Sequence, residues 1–243
     1  LPGRSGRKGP PASAAAARPS SMLQLFGLLA KSFSLRSSQL AALLAILSLV
    51  AVNSHLVFWP VHVQRQLGWS DVQWLHLEGR YSIWFGLSGS LAGGLVATVI
   101  GAKRAVILGL IALAACWFAY AACEPMWTNS QVLVTLFLAE SGLAAFLQVS
   151  MFALFMGICW PPIAATQFTA FMALLNLSNG LGAKLAGPIE AGLGIVGSHL
   201  GLGCLQIALV GVVLAIDPDQ VRRVLGEESE HHQPSPDAIP PGD

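Results

Sequence analysis

The sequence predicts an all-α fold: a polytopic membrane helix bundle of about six transmembrane helices. Three observations carry this. The 243 residues are 54% hydrophobic and only 10% charged, against about 25% charged in soluble domains. Mean hydropathy is +0.65. The apolar residues also gather in runs of the length a bilayer requires, roughly 20 residues each. A net charge of +1 says nothing about nucleic acid, but no dense Lys/Arg cluster follows a binding motif, so nucleic acid is not an expected partner.

Residues 1–36 form the first segment. Leu1 opens the chain and Met22 is its first methionine, which reads as a fragment or a processed form. The stretch 1–21 is rich in Pro, Ala, Gly and Arg and is expected to be disordered. "SMLQLFGLLAKSFSLRSS" is amphipathic and basic, and no acidic residue precedes Asp71. A basic inter-bundle loop with a membrane-surface helix suits it better than an organellar transit peptide.

The bundle occupies 37–217, with apolar spans near 40–59, 80–100, 104–123, 132–157, 164–187 and 198–216. Between the first two, "GWSDVQW" offers a capping box, Ser70 with Gln73, so the second helix should begin near Asp71. Asp71, His76, Glu78 and Arg80 then ride on its outer turns. Residues 218–243 are polar, acidic and Pro-rich, and read as a disordered tail. The four cysteines, Cys116, Cys123, Cys159 and Cys204, show no metal or redox spacing. They are expected to be packing residues, and no metal or cofactor is implied.

Basic residues set the orientation. Arg4, Arg7, Lys8, Arg18, Lys31, Arg36, Lys103, Arg104, Arg222 and Arg223 fall on one side, against Arg65 and Arg80 on the other. The positive-inside rule then makes both termini cytoplasmic in a cell (inner) membrane, an organellar membrane being the alternative. Trp59, Trp69, Trp74 and Trp127 would form an outer aromatic belt.

Helices in lipid associate by close packing of small residues. The second span offers two such strips, Ser82/Gly86/Ser90/Gly94 and Gly89/Gly93/Ala97. The fifth offers Thr169, Ala173, Asn176, Gly180, Ala183 and Gly187, expected to be a packing seam. In the fourth, Glu140, Ser141, Ala144, Gln148 and Met151 share a sector. Glu140, Gln148 and Asn176 are therefore expected to line one central polar path. An ionisable group within a span is costly enough to suggest a proton or substrate site. Asn179, Asn53 and His55 are further candidates, and Lys184 is placed to snorkel outward or to pair with Glu190.

A family likeness rests on two stretches. "GGLVATVIGAKR", Gly93 to Arg104, resembles the Gly-rich basic loop of the major facilitator superfamily. Gly94, Gly101, Lys103 and Arg104 match it, while Thr98 stands at the motif's aspartate position. Residues Phe137 to Gly194, with Glu140 followed by "ATQFTAFMALLNLSNGLG" and "AGP", look like the C-terminal region of AmpG-type muropeptide permeases and peptide/acetyl-CoA transporters. "LGWSDVQ" and "GAKRAVILGLIALAACWFAYAA" fit as well, so the likeness covers about 40–217. It departs at Ala183, where that family carries a basic residue; Lys184 is next. The resemblance implies one half of a twelve-helix transporter, its N-terminal six-helix half not in this chain. It also implies proton-coupled movement of a polar solute such as a muropeptide or peptide-like compound, with "GAKR" as a cytoplasmic gate or packing turn.

Two other readings stand beside it. A six-helix subunit or channel without its own transport cycle has the same composition. "GLSG", Gly86 to Gly89, has the GxSG form of rhomboid intramembrane proteases, with Ser88 as nucleophile and His199 as base. Here, however, three spans separate serine from histidine where that family has one. No enzyme is expected.

Overall fold

A computed structural model of the chain describes residues 22–221 and 223–225. Among them every regular element is helical. They are α1 (Met22–Phe33), α2 (Arg36–Gln66), α3 (Asp71–Ile100), α4 (Ala102–Ala122), α5 (Ser130–Ile158) and α6 (Ala164–Ala215). Five of these helices, α2 to α6, are long and apolar enough to cross a membrane. With their composition, they make the chain an integral membrane protein.

α6 is two passes, not one. Gly194 has φ 69° and ψ 172°, outside helical space, and a positive φ is what glycine adopts at little cost. The partners on α2 reveal the reversal. Along the first arm they rise together: Gln167 reaches Ser38, Ser178 reaches Ile46 and Gly182 receives Ser54. Along the second arm they run backwards: His199 meets His55, Gln206 meets Ser48 and Asp217 meets Ser37. The arms 164–193 and 195–215 thus form a hairpin around α2. This yields the six passes expected from the sequence, and brings the start of α2 and the end of α6 to one end of the bundle.

The local signals behave as their chemistry predicts. Ser70 and Gln73 form the capping box that starts α3 at Asp71. Gly101, at φ 90°, makes the break between α3 and α4. Lys103 then crosses to the end of α6, its Nζ donating to Leu214 O at 2.9 Å and Ile216 O at 2.7 Å. Lys103 of "GAKR" thus caps the end of another helix.

Close backbone approach holds the spans together. A Cβ on Gly89 would lie 2.0 Å from Gly142 O, and one on Gly93 2.5 Å from Phe146 O. So Gly89/Gly93/Ala97 is the true seam of α3, against α5. α2 and the first arm of α6 meet the same way at Gly182, whose added Cβ would stand 2.7 Å from Val50 O.

Several expectations need correction. The small strip of α6 is not a seam: Thr169, Ala173, Asn176, Gly180, Ala183 and Gly187 are all exposed. The arm buries Phe171, Leu175, Ser178, Gly182 and Ala186 instead. Trp59, Trp74 and Trp127 are buried in the core rather than set in an outer belt. Residues 22–33 need no correction: they are helical, as a surface helix requires, and leave Met22, Leu23 and Phe26 exposed. In the polar tail, Val221 and Leu225 are buried, and Gln220 Oε1 accepts from Ser37 N. The stretches 1–21 and 226–243, and Arg222, lie outside the described residues.

Candidate functional site

Three side chains, from α2 and α4, converge on one carboxylate carried by α5. Glu140 is 3% exposed. It projects from the buried face of α5, which also carries Leu133, Phe137, Leu147 and Met151. Trp117 and Tyr120 sit three residues apart on α4, hence on one face. Trp117 Nε1 donates to Glu140 Oε1 and Tyr120 Oη to Oε2, each at 3.1 Å. From α2, His55 Nδ1 comes within 2.7 Å of Oε1, a short contact bent off the hydrogen-bond line. Both oxygens are thus surrounded by donors, which suits a carboxylate held away from water.

The second ring nitrogen of His55 extends the chain. His55 Nε2 lies 3.2 Å from His199 Nε2, and His199 Nδ1 lies 2.8 Å from Ile195 O. A carbonyl only accepts, so His199 carries its proton on Nδ1 and offers Nε2 as an acceptor; this tautomer is assigned from the network. His55 must then donate from Nε2. Its Nδ1 faces Glu140 either as imidazolium against carboxylate or as a bare nitrogen against a protonated acid. One proton therefore has two homes about a hydrogen-bond length apart.

Aromatic rings seal this unit. Trp59 stacks on His55 at 5.6 Å and 20°, and Tyr120 stacks on His199 at 4.9 Å and 18°. Phe58 meets both histidines edge-on. Trp127 adds to it by donating from Nε1 to Tyr120 O at 3.1 Å.

The residues singled out from the sequence divide into two groups. Glu140 and His55 come together. Asn53 and Asn179 pair elsewhere: Asn53 Nδ2 donates to Asn179 Oδ1 at 2.8 Å and to Leu49 O at 2.8 Å, at the surface between α2 and α6. Gln148 is exposed and does not join Glu140. Eight residues at about 100° each carry it about 80° round the helix, off the buried face. Asn176 is exposed because Leu175, one residue back, takes the inward position. Lys184 is exposed and makes no ion pair with Glu190. No single path joins Glu140, Gln148 and Asn176. A Cβ added at Gly94 would stand 3.7 Å from Val149, and Arg104 is exposed beside Lys103.

Trp117, Tyr120 and Trp59 are the members of the site that sequence reasoning missed, and His199 was noticed only as a protease base. The available signal was "CWFAYAA", which puts two donors on one helical face. Ser88 is exposed and donates to Phe85 O at 2.9 Å, while both nitrogens of His199 have other partners. The serine–histidine pair is not assembled. Among the described residues, no group of three or more His, Cys, Asp or Glu is set to hold a metal.

Fold and site together define, over the described residues, an all-helical integral membrane protein with a buried acid–histidine cluster. Compared with protein-family models, curated proteins and solved structures, the chain matches none.

Proposed function

We propose that this chain is one bundle of a secondary active transporter, resembling the AmpG-like branch of the major facilitator superfamily. It would move a polar solute, such as a muropeptide or peptide-like compound, with protons. The observation that carries this reading is the His55–Glu140 contact inside a membrane span. Ionisable groups there are costly and tend to mark proton or substrate paths. The network gives one proton two resting places, and His199 supplies an onward acceptor.

The solute path lies on a different face. Asn176, Asn179, Ala183 and Lys184 are exposed on the first arm of α6. Polar groups in hydrocarbon need a partner or water, so a second bundle or a water-filled cleft covers that face. The N-terminal six-helix half implied by the resemblance is the natural occupant. By the positive-inside rule, the end that holds Lys103, the start of α2 and the end of α6 would face the cytoplasm, with both termini on that side of a cell (inner) membrane.

The test is uptake of labelled muropeptide into proteoliposomes under an imposed pH gradient, the chain being reconstituted with its upstream half. Glu140→Gln keeps the shape and removes the ionisable acid. Loss of gradient-driven uptake with retained solute binding supports coupling; unchanged uptake rejects it.

One observation favours a second reading, a membrane subunit without its own cycle. Two donors, from Trp117 and Tyr120, satisfy Glu140 as they would a purely structural carboxylate. In that case Glu140→Gln lowers thermal stability and has no separate effect on proton movement.

A further inference from the structure

The contact between α3 and α5 is tight along one stretch and open along another. At Gly89 and Gly93 there is no room for a side chain against α5. Nearer the start of α3, at the end of the bundle opposite Lys103, the same two helices border a cavity of about 790 Å³. Cavities of roughly 300–1,000 Å³ are the size that holds a small organic ligand. Toward the tight stretch it is walled by Leu77 of α3 and by Val134 and Leu138 of α5. Its other end carries Trp69, Gln73 and Ser130, close to where the two helices begin. The cavity thus has an apolar end and a polar end. Beside it, residues Leu77–Ser82 of α3 are wound as a π-helix, a rare conformation that is frequent at functional sites.

We propose that this cavity binds one phospholipid molecule of the surrounding bilayer, a tail against Leu77, Val134 and Leu138 and the phosphate against the polar groups nearer the helix starts. Access favours a lipid over a soluble ligand. Of the five spans α3 is the least buried, and Val72, which lines the cavity, is exposed along with Ile83, Trp84 and Leu87 on the same span. Against a bilayer, a tail reaches the cavity sideways from that surface without crossing water. Hydrogen bonding favours an acceptor-rich head. The Trp69 indole N–H, the Gln73 amide N–H groups and the Tyr81 hydroxyl line the cavity and donate to nothing among the described residues; Gln73 Oε1 is taken by Ser70 N. Phosphate oxygens only accept, so they match such a set. Charge points the same way. Arg80 sits 5.6 Å from the Tyr81 ring centre and, with His76 and Val72, lines an adjoining hollow. Among the described residues it makes no ion pair, and a guanidinium is a preferred phosphate partner. The acids of this end have other roles: Glu78 Oε2 accepts from Trp74 Nε1 at 3.1 Å, and Asp71 stands in the first turn of α3, where the helix dipole favours an anion. Neither lines the cavity. The site is separate from the His55–Glu140 contact and needs no proton role there.

The experiment is native mass spectrometry of the delipidated full chain, titrated with phosphatidylglycerol, with diacylglycerol of the same tails, and with glycerol phosphate. Phosphatidylglycerol should bind one per chain, about tenfold or more tighter than either fragment, since each fragment lacks one half of the contacts. Leu138→Trp fills the apolar end and should weaken phosphatidylglycerol by about tenfold, the worth of two methylene groups withdrawn from an apolar site. Val134→Phe, one turn away, fills the same end and keeps the test open if Leu138→Trp lowers the melting temperature. Arg80→Gln should weaken phosphatidylglycerol and leave diacylglycerol unchanged. Leu91→Trp, exposed on the same span beyond the cavity, should change nothing. Undiminished phosphatidylglycerol binding in both cavity-filling variants overturns the tail site. Diacylglycerol binding as tightly as phosphatidylglycerol overturns the phosphate end, and glycerol phosphate binding as tightly reduces the site to one for a free anion. None of these readings involves a pH gradient, so the lipid site and the transport reading fail independently.

Discussion

His55 and Glu140, contributed by α2 and α5, bring Nδ1 and Oε1 to 2.7 Å in a site where neither side chain is more than 4% exposed. Removing one member of a buried pair leaves the other without compensation, at about 3–5 kcal/mol. Glu140→Ala also strands the Trp117 and Tyr120 donors. Its melting temperature in detergent should fall steeply, whereas Glu140→Gln, which keeps an acceptor, should fall much less. Equal losses in the two variants would show that the acceptor contacts contribute little.

The α3–α5 seam tolerates no side chain at one position and should tolerate it one turn away. At Gly89 a Cβ would press on Gly142 O at 2.0 Å, and backbone cannot yield cheaply. Gly89→Ala is expected to cost about 1–3 kcal/mol or more through overpacking. Gly86 has nothing within 4 Å of an added Cβ, so Gly86→Ala should be neutral or gain about 0.5–1 kcal/mol from helix propensity. Thermal denaturation of the two variants side by side checks both.

The helices were legible because hydropathy and length are properties of each segment alone. Six spans, the capping box at Ser70 and the Gly101 break all follow from residues within a few positions of one another. Faces were harder. Glycine spacing marks a helix as able to pack closely without saying which strip does so; Gly89/Gly93/Ala97 met α5, while the equally regular strip around Asn176 turned outward. Gln148 failed because a sector drawn 80° wide cannot resolve an edge. The buried cluster was half visible. Glu140 and His55 are conspicuous as ionisable groups within spans, but only the α6 reversal at Gly194 brings His199 to them.

Lys103 should be felt at a site more than 100 positions away. Its ammonium satisfies two carbonyls at the end of α6 that have no helical partner of their own. Lys103→Ala is expected to cost about 1 kcal/mol, the partial exposure discounting a charge-assisted bond. Amide exchange near Leu214 to Asp217 should quicken. Arg104→Ala, on an exposed neighbour, should leave that exchange unchanged. The same exchange in both variants would remove the capping role.

Asn176 separates a solute path from a lipid-facing or packing face. It is exposed on the first arm of α6, one residue from the buried Leu175, so its amide contributes nothing to this bundle's core. If the face met lipid, Asn176→Leu would remove a polar group from hydrocarbon and raise the melting temperature, with no cost to activity. If it lines a solute path, the bundle itself should remain as stable. Labelled muropeptide uptake should then fall by about tenfold, the worth of one to two hydrogen bonds. The paired variant Asn179→Leu adds a structural loss, because it breaks the 2.8 Å contact with Asn53. We expect Asn176→Leu to depress uptake alone and Asn179→Leu to depress uptake and stability together. A rise in stability with full uptake in Asn176→Leu would assign the strip to lipid and move the solute path elsewhere.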